Sequence, residues 1–263
     1  MTTAEQIFSC IQERAPFQWQ MSFDNAGFLV GRRQAPVSRV VVALDITPDV
    51  VREAVDVEAQ LIVAHHPVIW GGAKSITDDT TTGRVVMELI EHRIAAICAH
   101  TNLDMAWGGV NDVLAQALGL RELALLAREG ADETGWPYGI GRVGTVDEQA
   151  FESFAALVKK ALGCQALRIV DGGVPVRRVA VGGGSCGNML PDAIAMGCDT
   201  FVTSDVKYDI FLEAKARGIN LIDAGHYPTE NLICPVLADW LRAAFPELEI
   251  SVSKVHKEVY SYF

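Results

Sequence analysis

Pro36-Val37-Ser38-Arg39-Val40-Val41-Val42 returns 139 positions later as Pro175-Val176-Arg177-Arg178-Val179-Ala180-Val181, with five of the seven residues identical. An apolar, β-branched run closed off by turn-forming residues reads as a buried strand. The chain therefore carries one strand twice, the mark of a repeated unit. The same offset lays His65-His66, which follow Leu61 to Ala64, over Ser204-Asp205, which follow Phe201 to Thr203. The first half then holds about a dozen extra residues, after which the order of events is the same in both halves.

Working outward, the first half reads as helix 4–14, a turn at Asp24-Asn25-Ala26-Gly27, strand 38–44 and helix 48–56. Pro48 suits the first helical position and Thr47 its cap. Strand 60–64, helix 82–92, strand 94–99 and helix 109–118 follow, with Gly119 as stop signal. The second half reads as helix 148–162, strand 177–182, helix 188–196, strand 199–203, helix 206–217, strand 219–223, helix 228–244 and a last strand from Leu248 to Val255. Alternating strands and helices imply an α/β fold of two pseudo-repeated lobes with mostly parallel sheets, facing each other. The expected lobes are 1–127 and 128–263, parted in the polar, Gly-containing stretch from Arg128 to Trp136. The C-terminal segment is expected to pack back on the first lobe.

Composition narrows the function. The 263 residues carry a net charge of −11, half of them are hydrophobic, and the isoelectric point is near 5.0. That balance argues against nucleic acid as a partner, and the basic pairs Arg32-Arg33 and Arg177-Arg178 read as solvated surface. Apolar runs such as Val40 to Leu44 are strand-sized and too short to span a bilayer. Residues 1–15 read as an amphipathic helix rather than a signal peptide. Six scattered Cys without a C-x-x-C pair read as buried thiols of a cytoplasmic protein.

Two further segments share a pattern. Ile97-Cys98-Ala99-His100-Thr101-Asn102-Leu103-Asp104 and Leu221-Ile222-Asp223-Ala224-Gly225-His226-Tyr227-Pro228-Thr229-Glu230 each run from apolar residues to a His, three residues and a carboxylate. Ligands of α/β sheets gather at the carboxyl ends of strands. His65, His66, His100, Asp104, Ser204, Asp205, His226 and Glu230 all fall there. Imidazoles and carboxylates delivered together suit a divalent-metal site. His65 and His66, being adjacent, reach ligands only where the strand ends, and Pro67 enforces that end. Pro228 is expected to open the last helix and place Glu230 in its first turn.

Asp24-Asn25-x-Gly27-x-x-x-Gly31, Ala43-Leu44-Asp45-x-Thr47, Ala64-His65-His66-Pro67, His100-Thr101-x-x-Asp104-x-x-x-Gly108-Gly109-x-Asn111-Asp112 and Gly225-His226-x-x-Thr229-Glu230 occur in this order. Together they make a chain that resembles the interacting-factor-three (YbgI-type) family of dinuclear-metal-centre proteins, whose members carry the description GTP cyclohydrolase 1 type 2 homologue. The resemblance implies two metal ions per subunit. His66 and Asp104 would hold one, His65 and His226 the other, and Glu230 would bridge both. It also implies two α/β lobes facing each other across that site, and a toroidal homohexamer. The family's second-half strand ends Thr-Gly-acid, whereas here it reads Thr203-Ser204-Asp205. Longer relatives carry an inserted domain, so this is the short form.

Two ions sharing a carboxylate suit hydrolysis, with His100 as the orienting or proton-carrying catalytic residue. Asn25, Asp45 and Asp205 are candidates for substrate contact or for support of the ligands. Nitrogen and oxygen donors fit Zn, Mn, Fe, Co or Ni. The expectation is a metal-dependent hydrolase of a small, nucleotide-like molecule. The alternative is a non-catalytic, metal-binding hexameric assembly or regulatory protein. Val181-Gly182-Gly183-Gly184-Ser185-Cys186-Gly187 lacks the spacing of a dinucleotide fingerprint, so its glycines read as allowing close approach to the neighbouring lobe. Trp136-Pro137-Tyr138-Gly139 and Trp70-Gly71-Gly72 read as interface aromatics sooner than as pocket lining.

Overall fold

In the computed structural model, which describes residues 1–263, the repeat survives as structure. Leu61–Ala64 and Thr200–Thr203 are both strands, and each pairs in parallel with the duplicated strand before it. In chain order the first elements are α1 (Ala4–Arg14), β1 (Gly27–Val30), β2 (Arg39–Ala43), α2 (Pro48–Asp56), β3 (Leu61–Ala64), α3 (Thr81–Glu91), β4 (Ala95–Cys98) and α4 (Thr101–Met105). Next come α5 (Val110–Ala117), β5 (Arg121–Leu125), β6 (Gly130–Ala131), β7 (Pro137–Tyr138), β8 (Arg142–Gln149), α6 (Phe151–Ala161), β9 (Arg168–Val170) and β10 (Val176–Val181). The chain ends with α7 (Leu190–Ala195), β11 (Thr200–Thr203), α8 (Tyr208–Arg217), β12 (Asn220–Asp223), α9 (His226–Glu230), α10 (Ile233–Ala244) and β13 (Glu249–Val252).

These elements form two units. The first comprises Met1–Ala106 and Ile233–Lys257, the second Trp107–Leu232 and Glu258–Phe263. The first sheet has the order β1-β4-β3-β2-β13, with β1 antiparallel and the other ladders parallel. The second has the order β5-β8-β10-β11-β12-β9, with a parallel centre β10-β11-β12 and antiparallel flanks. In both, the central strands are buried from end to end, as parallel strands between helical layers must be.

The division falls at Ala106 and not in the expected 128–136 stretch. Helix α5 decides this, because Leu114, Ala115 and Leu118 pack with Val176, Val179 and Val181 in the second unit's core. The polar stretch is instead part of a small hairpin, β6 with β7, inside the second unit. The C-terminal segment does return to the first unit: β13 pairs with β2 and covers an edge that would otherwise be open. The single helix expected over 228–244 is two helices, α9 and α10. Strand β8, expected as loop and helix start, was obscured by Gly144 in its middle and by charges at its end. A Cβ at Gly144 would lie 2.8 Å from Arg121 O, so glycine there lets β5 come close. Five of the six Cys are buried and Cys10 is half-buried.

One charge pair holds the second unit from inside. Arg142 is fully buried, its Nε donates to Asp112 Oδ2 at 2.9 Å, and its Nη1 donates to Gly139 O and Gly141 O. Trp107 lies over the guanidinium at 4.4 Å. Removing one partner strands the other charge in a low-dielectric interior. Asp112→Ala is therefore expected to lower stability by about 3–5 kcal/mol, read from the midpoint of urea unfolding, and a loss below about 1 kcal/mol contradicts this account.

Candidate metal centre

The first unit's site grows from three strand ends. Past β3, His65 and His66 continue the ladder, with His65 N donating to Ala43 O and His66 N to Leu44 O. Past β4 stands His100, the N-cap residue of α4. Each imidazole has its Nδ1 on an acceptor: His65 on Ala99 O at 2.8 Å, His66 on Asp45 Oδ1 at 2.7 Å, His100 on Asp24 Oδ1 at 2.9 Å. Acceptors at Nδ1 fix the ring and the tautomer, so Nε2 is the nitrogen each ring has for a metal or for proton transfer. The three rings lie 5.0–5.5 Å apart between centroids, and one nitrogen from each falls within 4.8 Å of the others.

Asp104, buried in α4, faces His65. Its Oδ1 stands 3.6 Å from His65 Nε2, beyond hydrogen-bond distance. Two donors each about 2.0–2.2 Å from a common ion stand about 3.4 Å apart in a tetrahedral shell, so this spacing fits an ion between them. The resemblance paired Asp104 with His66. The 3.6 Å spacing is to His65, while His66 is held at Nδ1 by Asp45.

The second unit builds its pair differently. Gly225, with φ of 87°, is the N-cap of α9 and lets the helix begin at His226. His226 and Glu230 then stand one turn apart, and Nε2 meets Oε2 at 2.9 Å. Glu230 thus lies at the end of a short helix rather than in the first turn expected from Pro228. Asp205 Oδ2 takes His226 Nδ1 at 2.7 Å, so this fourth imidazole is held as the other three are. Asp223 fixes both loops, accepting from Val206 N at 2.9 Å and from Gly225 N at 3.1 Å. The departure at Ser204 is harmless: the left-handed residue is Asp205, with φ of 51°, while Ser204 is buried and donates from Oγ to Gly184 O at 2.6 Å.

The glycine loop serves this pair. Gly183 N donates to Asn111 Oδ1 at 2.9 Å and Gly184 N to Thr229 Oγ1 at 3.1 Å. Gly184 has φ of 62°, and a Cβ there would strike Glu230 Oε1 and lie 3.3 Å from His226 Cε1. The close approach is therefore to α9 within the same unit, not to the neighbouring lobe as expected.

Asn25 and Asp45 act on loops and rings. Asn25 Nδ2 donates to Ile69 O at 2.6 Å, tying two loops together. Asp45 is held at Oδ2 by His256 Nε2 at 2.9 Å, so one carboxylate spans two imidazoles. Burial raises its pKa, but the hydrogen bonds from His256 and His66 outweigh that and hold it well below the usual carboxylate range. Asp24 behaves alike: burial raises it, and hydrogen bonds from His100 and Thr101 bring it down to about 2. Sequence reasoning quoted Asp24 but gave it no role, and it missed His256, which lies in a short polar C-terminal run without pattern. Burial pushes the Cys98 thiol, two residues before His100, up to about 12, so it supplies no thiolate.

The chain is similar to known proteins over nearly its whole length. The family model for Duf34/NIF3 (NGG1p interacting factor 3) matches residues 2–259. The chain is 31% identical over 259 residues to the "GTP cyclohydrolase 1 type 2 homolog" of Clostridium perfringens, covering 97% of this chain and 98% of that one. It is 36% identical over 238 residues to the protein of the same description from Streptomyces coelicolor, covering 88% and 82%. A solved Bacillus cereus protein related to NIF3 superposes with a TM-score of 0.93 over 100% of this chain and 99% of that one, a likeness of fold at 24% identity.

Three substitutions, one of them a control, test the supports. Gly184→Ala is expected to keep the fold by circular dichroism while bound metal falls to less than half. Gly197→Ala, with equal backbone strain (φ of 69°) and no atom within 4 Å of its Cβ, leaves metal content unchanged. Asp45→Ala is expected to weaken metal binding about 10–100-fold in a chelator competition; affinity equal to the parent protein's overturns Asp45 as the support of His66.

Proposed function

This chain belongs to the Duf34/NIF3 (NGG1p interacting factor 3) family, and from that premise we propose a dinuclear, divalent-metal-dependent hydrolase of a small, nucleotide-like molecule. The observation that carries the reading is the common fixing of four imidazoles, each with Nδ1 on a carboxylate or carbonyl oxygen. Metal-ligating imidazoles characteristically donate their other ring N–H to a carboxylate or a backbone carbonyl in this way.

In this reading His65, His66, Asp104, His226 and Glu230 would together hold the two ions. The ligands are all nitrogen and oxygen, which suits Zn, Mn, Fe, Co or Ni. Three imidazoles and two carboxylates for two ions leave positions open to substrate and water, as a catalytic centre requires. When bound, the ions supply a hydroxide near neutral pH and polarise a carbonyl or phosphoryl oxygen.

The chain's own groups do the rest. His100 Nε2 takes the proton from the attacking water and returns it to the departing nitrogen or oxygen. Asp24, ionised above about pH 2, stabilises the imidazolium through Nδ1. Asp45 and Asp205 hold His66 and His226 in orientation. Water adds across the bond, so a ring amidine, an amide or a phosphoester would be cleaved. The relatives' description includes GTP, and guanine nucleotides belong first in the panel of probes. We further read the assembly as a homohexamer and its place as the cytoplasm; no helix is long and apolar enough to cross a membrane.

Elemental analysis of protein purified without chelators, followed by a hydrolysis screen over GTP, pterin precursors and phosphoesters, tests the reading. About two divalent ions per chain are expected. Glu230→Ala is expected to abolish turnover while the oligomer persists, and His100→Ala to lose at least 100-fold in kcat with its metal retained. Protein without metal, or metal whose removal only dissolves the oligomer, overturns the reading.

A further inference from the structure

Val68-Ile69-Trp70-Gly71-Gly72 follows directly on His65-His66-Pro67. The segment is anchored: Val68 is buried in the first unit's core, Ile69 packs against that core, and Asn25 Nδ2 grips Ile69 O. Trp70 is nevertheless 55% exposed. Its ring centroid lies 5.1 Å from that of His100, with the planes at 83°, and 6.2 Å from that of His66. Gly71 and Gly72 follow with φ of 59° and 83°, and no atom lies within 4 Å of where either Cβ would stand.

Single exposed aromatics are ordinary on protein surfaces. This one differs in two respects. The chain that leads to it is fixed by Val68, Ile69 and the Asn25–Ile69 bond, and its ring rests against His66 and His100, so the exposure does not come from slack chain on that side. The rings beside it are two imidazoles of the candidate metal centre. An indole is the largest flat π surface a protein offers, and stacking on it accepts any planar ring, leaving ring identity to polar contacts at the edge. An aromatic already held in place loses little freedom on binding.

We propose that Trp70 is the stacking platform for a planar heteroaromatic ring of the substrate, held beside His66 and His100. The proposal rests on the hydrolase reading and narrows its substrates to those with a nucleobase-like or pterin-like ring. Asn25 acts here as a positioning residue, through the loop it holds, and does not touch the ring.

The test is calorimetric titration of the full-length, metal-loaded protein with guanosine, neopterin and ribose 5-phosphate. At least one of the two ring compounds binds and ribose 5-phosphate does not. Trp70→Ala weakens the ring compound at least tenfold, Trp70→Phe recovers most of that loss, and the metal content and oligomeric mass of both variants equal the parent's. The platform is overturned if neither ring compound binds, if ribose 5-phosphate binds as well as they do, or if Trp70→Ala binds unchanged. A changed oligomeric mass in Trp70→Ala also overturns it, making the indole an interface residue. The hydrolase reading fails separately, on parent protein that holds no metal.

Discussion

Parallel pairing in register is the constraint on which the candidate centre depends. Ala43, Ala64 and Cys98 lie in one row across β2, β3 and β4. The residues that follow them, Asp45, His65 with His66, and Ala99 with His100, are therefore delivered side by side at one sheet edge. Asp24 arrives there from the antiparallel partner, since Gly27 stands opposite Cys98. In the second unit Thr203 lies opposite Asp223, which brings Asp205 to His226. His65, His66 and His226 thus find their Nδ1 acceptors just past the end of a neighbouring strand, and His100 finds its own in the turn before β1. An antiparallel arrangement would send alternate strand ends to opposite edges and separate rings from acceptors.

The repeat is symmetric in topology and asymmetric in use. His100 caps its helix from outside and spends Nδ1 on Asp24, so Asp104 meets His65 instead of the histidine four residues before it. His226 lies inside its helix, and Glu230 meets it directly. Gly225, which allows that earlier start, has no counterpart in the first half, where Ala99 stands. The second pair then needs its own support, which Gly183 and Gly184 give by carrying backbone close against Glu230 while Asn111 and Thr229 hold the loop. Behind this lies the buried Arg142–Asp112 pair, whose aspartate is on the same α5 that carries Asn111.

Much of this was legible beforehand, for identifiable reasons. Helices 4–14 and 48–56 match to the residue because each has both a cap and an amphipathic stripe: Thr3 accepts from Gln6 N, and Thr47 from Val50 N. The central strands were plain as short apolar runs. The flanking strands were not, because β5, β8 and β9 are partly exposed, carry charges and are specified by their partners more than by their own pattern. The unit boundary was misjudged because polarity marks a surface hairpin as readily as a linker. At the site the histidines that gather at the strand ends were visible in spacing, whereas the partners of their Nδ1 atoms were not. Asp24 and His256 come from 76 residues before His100 and 190 residues after His66, and nothing local marks a carboxylate or an imidazole as the one that will arrive.

X-ray absorption at the edge of whichever metal copurifies with the protein tests the central claim most directly. The account predicts a shell of nitrogen and oxygen alone at about 2.0–2.2 Å, with the outer-shell scattering of imidazoles bound through Nε2. A sulfur shell near about 2.3 Å, or a spectrum without imidazole, would contradict it.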